Sequence, residues 1–125
     1  MSLTPKGKLS APFIELATSC SMSASKLTSG GYAIKDSGGT ALTGCLFWGY
    51  NVESATNMTA GQHLHVFDGS TTVGKYLLSN TASVVEFPNM FLPAPIPIAG
   101  ALTVAKSASI ATAQGLTIKV YYTNW

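Results

Sequence analysis

Leu116-Thr117-Ile118-Lys119-Val120-Tyr121-Tyr122-Thr123 is the stretch that decides the fold class. Leu116, Ile118, Val120 and Tyr122 alternate with Thr117, Lys119, Tyr121 and Thr123. In an extended chain this period of two puts the first set on one face and the second on the other, the pattern of a half-buried strand. Upstream, Gly44 to Val52 is apolar at both parities (Cys45, Leu46, Phe47, Trp48, Tyr50), which predicts a central strand covered on both sides. Tyr32-Ala33-Ile34-Lys35 and Lys75-Tyr76-Leu77-Leu78 are shorter strand candidates.

Turn signals separate these runs at Ser29-Gly30-Gly31, Asp36 to Gly39, Asp68-Gly69-Ser70, Ala99-Gly100 and Gln114-Gly115. No segment carries a helical stripe, and the Ser/Thr-rich run from Ala105 to Gln114 reads as a loop. The expectation is an all-β fold: an antiparallel β-sandwich, jelly-roll-like, of about eight short strands. It forms a single domain over residues 1–125, with residues 1–8 as a flexible N-terminal arm. At this size roughly two-thirds of the unfolded surface can be buried, so neither a disulfide nor a metal is needed for folding.

Composition narrows the function. The chain has seven lysines, no arginine and a formal charge of +2, and only 10% of its residues are charged against roughly 25% in an average domain. Without arginine there is no bidentate reader of phosphate or guanine, and Lys6, Lys8, Lys26, Lys35, Lys75, Lys106 and Lys119 form no cluster. Nucleic acid is therefore not an expected partner. No apolar run approaches the ~18 residues of a membrane span, and Leu9 to Leu16 is too broken by Ser10, Pro12 and Glu15 for a signal peptide. The expected site of synthesis is a cytoplasm, where Cys20 and Cys45 stay reduced. Asn57-Met58-Thr59 matches a glycosylation sequon, which has no use without export.

Pro93, Pro95 and Pro97 occupy every second position of an apolar run. Alternate backbone N–H groups of a strand point to the same edge, so these prolines strip the donors from one edge. Ala94, Ile96 and Ile98 keep theirs on the other. That is the design of a protected edge strand rather than of a proline-rich ligand.

Several short motifs suit catalysis or binding less well than they suit turns. Asp36-Ser37-Gly38-Gly39 matches the tetrapeptide around a serine-protease nucleophile, but Lys35 precedes it and no histidine lies upstream. Gly69 to Lys75 has phosphate-loop spacing, yet Tyr76 stands where a magnesium-binding Ser or Thr belongs, and the following residues read as strand rather than helix. His63 and His65 share one face of a strand beside Asp68, with no further His or Cys near; they are expected to be exposed opposite the buried Leu64 and Val66. Glu15, Asp36, Glu53, Asp68 and Glu86 lie far apart, so no glycosidase pair is visible, and Asp36 and Asp68 are expected to cap turns. Trp48, Tyr50, Tyr121, Tyr122 and Trp125 could build an aromatic platform for sugar, but Tyr and Trp are ordinary residues of a sandwich core or an interface, and that is the favoured reading.

The second half resembles a known group of proteins. His63 to Leu78 (HLHVFDGSTTVGKYLL) is followed by Phe87-Pro88, Met90-Phe91-Leu92-Pro93, Gly100 to Val104 (GALTV) and Gly115 to Tyr122 (GLTIKVYY). The order of strand, Asp-Gly-Ser/Thr loop, strand, proline-rich edge and closing Val-Tyr-Tyr strand resembles small β-sandwich proteins encoded among the structural genes of tailed bacteriophages. The resemblance implies a virion decoration or tail-accessory role and offers no catalytic residues. The function it leads us to expect is a non-enzymatic, self-associating virion subunit, made in the host cytoplasm, whose partners are copies of itself and other virion proteins. No cofactor, metal or membrane partner is expected. Expected contact residues are Pro93, Pro95, Pro97, Tyr121 and Trp125. The alternative is a carbohydrate- or receptor-binding module that holds a glycan through Trp48, Tyr50, Asn51 and Asp68.

Overall fold

The computed structural model describes residues 14–23, 30–56, 61–79, 85–86, 88–107 and 115–124. Its elements, among the described residues, are eight strands: β1 (Glu15–Leu16), β2 (Cys20–Met22), β3 (Tyr32–Ala33), β4 (Thr43–Thr56), β5 (His63–Asp68), β6 (Thr71–Leu77), β7 (Asn89–Lys106) and β8 (Gly115–Asn124). All pairings are antiparallel, along the path β1-β8-β4-β7-β5-β6, with β2 also on β8 and β3 also on β7. The all-β, sandwich-like expectation is met. The strands are less uniform than expected, because β4 runs for 14 residues and β7 for 18.

β7 explains how one hydrogen-bonded path makes two layers. Its residues from Asn89 to Ala101 pair with β4, whereas Leu102 to Lys106 pair with β5, and Thr103 and Val104 also pair with β3. The strand therefore starts in a first layer (β1 and β2, β8, β4) and ends in a second (β3, β5, β6). The changeover falls at Ala99-Gly100. These two residues, read from sequence as a turn, lie inside the continuous strand and bend it without reversing it. Likewise Ala105 and Lys106, expected in a loop, complete β7, and residues 108–114 lie outside the described residues.

The alternation of β8 holds from Leu116 to Tyr122: Leu116, Ile118, Val120 and Tyr122 are buried, and Thr117, Lys119 and Tyr121 are half-exposed, whereas Thr123, expected on the outer face, is buried and accepts from Trp48 Nε1. Leu64 and Val66 of β5 are fully buried from the opposite layer. Each such side chain contributes about 1.5–3 kcal/mol on burial. Phe47 and Tyr50 of β4 reach across to Tyr76 of β6, with ring centroids 6.2 and 6.0 Å apart. β4 and β6 are not neighbours along the sheet path, so these contacts measure the closure of one layer over the other. Burial pushes the Tyr50 hydroxyl up to about 12, with Tyr76 adding to the shift. Lys106, paired with Leu64, is 1% exposed on the inner face; desolvation lowers its pKa and nearby Tyr32 opposes that.

β4 departs from its expected surroundings. It is central between β8 and β7, but only one of its faces is covered by the second layer. Cys45, Phe47 and Tyr50 point inward, while Leu46 and Trp48 between them and Asn51 after them are only half-buried. The step from Phe47 to Tyr50 keeps both residues inward because Gly49 sits at a register shift against both neighbours. Gly49 has φ +144°, and a Cβ there would run into the Met90 carbonyl oxygen.

The two thiols cannot pair. Cys20 stands opposite Ile118 and Cys45 opposite Asn124, six residues apart along β8, which is about 20 Å. A disulfide needs Cα atoms within about 7 Å. Both cysteines are buried and free, and burial pushes each thiol up to about 11.

Gly49→Ala should destabilise the fold by about 3 kcal/mol or more, through strain and through steric exclusion at Met90. The check is the urea unfolding midpoint, and a change below about 1 kcal/mol would contradict the close approach.

Candidate functional site

On the outer face of the first layer the register draws a row across four strands. Leu16 of β1 lies opposite Tyr121 of β8, Tyr121 opposite Gly49 of β4, and Gly49 opposite Phe91 of β7. Gly49 has no side chain, so the rings on either side of it meet above its backbone. Phe91 and Tyr121 make an edge-to-face contact with centroids 5.6 Å apart, and Trp48 stacks on Phe91 at 5.7 Å and 14°. Aromatic rings closing over a sheet glycine regain the packing its missing side chain gives up. The row stays open to solvent: Phe91 is 51% exposed and Leu16 45%.

Polar groups ring this centre and are already paired. Trp48 Nε1 donates to Thr123 Oγ1 at 3.2 Å, and the Tyr121 hydroxyl donates to Asn89 Oδ1 at 3.1 Å. Asn51 Nδ2 donates to the Pro88 carbonyl at 3.5 Å. Lys119 Nζ and Glu53 Oε2 are 3.4 Å apart, and the Ser19 hydroxyl donates to Glu53 as well. The Ser19 bond, more than the Lys119 charge, holds the Glu53 carboxyl below the usual range. An apolar aromatic centre inside a satisfied, charge-balanced rim is the anatomy of a protein interface.

The residues expected to form a contact surface are partly brought together. Tyr121 sits in the row, and Trp125 lies outside the described residues. The prolines occupy the first half of β7, where, among the described residues, residues 89–98 pair only with β4. Only Pro97 is in register, opposite Leu46. Leu92, Pro93, Ala94 and Pro95 all fall between partners on β7 where β4 has the single residue Trp48, so two of the three prolines lie in a multi-residue bulge. Phe91 and Leu16 were missed as contact residues in the sequence, although Phe91 lies in the Met90–Pro93 motif; only the register of four strands brings them into line.

The expected glycan set is not one site. Trp48 and Asn51 face outward in the first layer, but Tyr50 is 1% exposed in the core. Asp68 ends β5 in the second layer, and its carboxylate is occupied. It accepts from Gly100 N at 2.7 Å and from Ala99 N at 3.2 Å, fixing the bend of β7, while Gly69 N donates to the Ala101 carbonyl at 2.8 Å. Asp36 caps its own turn by accepting from Gly38 N and Thr40 N, so it is not free to orient a histidine. Gly69 and Ser70 form the turn of a β5–β6 hairpin, with strand rather than helix following, which removes the phosphate-loop reading.

His63 and His65 do share the outer face of β5 opposite Leu77 and Lys75, half-buried rather than fully exposed. His65 stacks on Phe67 at 6.3 Å. Among the described residues no group of three or more His, Cys, Asp or Glu side chains is placed to hold a metal. Desolvation lowers the His65 pKa, and the charges of Lys75 and His63 lower it further.

In comparison with known proteins, no family model, no curated protein and no solved structure matches this chain.

Two outcomes follow from these contacts. Asp68→Ala should cost about 2–3 kcal/mol in urea unfolding, since two amides lose a charged acceptor at the bend. For His65 the folded pKa lies below the unfolded value near 6.5, so the unfolded chain takes up the proton first. The stability is complete above about pH 6.5 and is lost as pH falls through that value toward the folded pKa. Melting temperatures between neutral and mildly acid pH should show this slope in the parent and a shallower one in His65→Gln.

Proposed function

We propose that this chain is a non-enzymatic structural subunit of a bacteriophage particle, in a decoration or tail-accessory position, and that it self-associates through the outer face of its first layer. The observation that carries the reading is β4, a central strand apolar at both parities whose outer face, among the described residues, has no second layer over it. A monomer gains nothing from leaving Trp48, Phe91 and Leu16 on that face, whereas burial against a copy returns their transfer free energy. The paired Glu53 and Lys119 add no net charge, so two such faces meet without repulsion. The prolines support association by faces rather than by sheet extension. Pro97 cannot donate, so the Leu46–Pro97 pair is a non-hydrogen-bonded one, and the proline nitrogen faces the outer edge without a hydrogen to offer a further strand.

Copies of itself and other virion proteins are the proposed partners, and the virion, assembled in a host cytoplasm, is the proposed location. Two buried, unpaired thiols suit a reducing compartment.

Light scattering on a sizing column, over a roughly tenfold range of concentration, should give a mass that is a multiple of 13.0 kDa. Phe91→Ser should weaken that assembly by about 30-fold or more, as loss of an aromatic anchor does, with unchanged circular dichroism. A parent protein that runs as a strict monomer, or a variant that assembles equally well, removes the proposal.

A further inference from the structure

A cleft opens where the two layers come together along their other border. β2 is the first layer's edge there and β3 the second layer's. One end of the seam is stitched by Thr18, whose N–H and hydroxyl both donate to the Lys35 carbonyl, at 2.9 and 3.1 Å. Beyond that stitch the strands part around a cavity of about 290 Å³, walled by Thr18, Ser19 and Ser21 on one side and Tyr32, Ala33 and Lys35 on the other.

Backbone groups also face this space. Val120 O accepts from Ala17 N, so Ile118, two residues away on β8, faces the same neighbour and bonds Cys20. The amide and carbonyl of Ser21, the next residue, are then turned away from β8 toward the seam. On the other wall Ile34 N donates to Leu102 O on β7, which turns the backbone of its neighbour Ala33 toward β2. The Thr18 and Ser19 hydroxyls spend their protons on the Lys35 carbonyl and on the exposed Glu53 carboxylate, which leaves their oxygen lone pairs to accept from a ligand. Glu53 is neutralised by Lys119, and among the described residues no carboxylate forms an ion pair with Lys35.

We infer that this seam is a binding site for a small hydroxylated carboxylate, of the chemical class of a uronic-acid sugar unit. The Lys35 ammonium takes the carboxylate, and the ligand's hydroxyls donate to the Thr18 and Ser19 oxygens and exchange bonds with the Ser21 and Ala33 backbone. The cavity has the volume of about ten waters and lies at the small end of ligand pockets, which suits one sugar ring. An added peptide strand does not fit, because the Thr18–Lys35 stitch closes the seam before a run of strand partners is available. This site borders the rim of the aromatic row at Ser19, whose hydroxyl donates to Glu53, but uses none of the row's rings and does not depend on self-association.

The test is a titration of ¹⁵N-labelled protein with sodium glucuronate, glucose and inorganic phosphate. Glucuronate should shift the amides of Ser19, Ser21, Ala33 and Lys35, and should bind at least about tenfold tighter than glucose, the margin expected of a charge-assisted bond. Lys35→Met should abolish that margin with the remaining spectrum intact. Ser19→Ala, on an exposed position, should weaken glucuronate without changing the charge of the cleft. Glucose binding as tightly as glucuronate overturns the carboxylate, and phosphate matching glucuronate overturns the sugar class. Shifts confined to Trp48 and Tyr121, or no shift with any probe, overturn the site. The sizing-column mass reads out the self-association proposal independently.

Discussion

The grip of the Asp68 carboxylate on the amides of Ala99 and Gly100 is the contact on which the two-layer arrangement turns. β7 serves both layers only because it bends there, and a bend in a strand leaves amide groups that the ladder no longer satisfies. A carboxylate placed at the end of β5 accepts from both, and it comes from the layer that β7 is about to join. Gly100 gives it room, since a Cβ would stand 3.0 Å from the Asp68 oxygen. From this one hinge follow the pairing of β7 with β4 before it and with β5 and β3 after it. The stacking of Phe47 and Tyr50 under Tyr76 follows as well.

A second constraint, Gly49, governs the outer surface. Its register shift keeps Phe47 and Tyr50 in the core while Trp48 stays outside, so the same irregularity that serves the interior assembles the exposed aromatic row. Core and candidate interface are thus coupled through a single backbone position. Any side chain at Gly49 would disturb the packing below and separate the rings above.

The strands with strict alternation were legible in the sequence. Leu116, Ile118, Val120 and Tyr122, and the Leu64–Val66 pair, are buried as a period of two requires. The turn at Asp36 and the hairpin at Asp68-Gly69-Ser70 were also readable, because Asp and Gly have a specific backbone use there. Register and irregularity were not. Ala99-Gly100 carries the same residue signal whether the chain reverses or merely bends, and what separates the two is a carboxylate some 30 residues away. Apolar residues at both parities of β4 signal two covered faces, without saying whether the second cover is another layer or another molecule. Tyr50 and Trp48 looked alike as sugar-binding candidates because the shift at Gly49, which sends them to opposite faces, leaves no mark beyond one glycine.

The choice between a sugar platform and a protein contact for the outer face rests on what its groups are doing already. A sugar lying on an aromatic ring needs a bare ring face together with polar groups free to hold its hydroxyls. Here one face of Trp48 is stacked on Phe91, and its ring nitrogen is bonded to Thr123. The Tyr121 hydroxyl is bonded to Asn89, and Glu53 is shared between Ser19 and Lys119. Binding a sugar there would exchange intact hydrogen bonds for new ones with little net gain. An apolar partner surface asks for none of those bonds to break and still takes Phe91 and Leu16 out of water. The energetics of the face therefore favour a partner with an apolar surface of its own, and a second copy of this chain carries one.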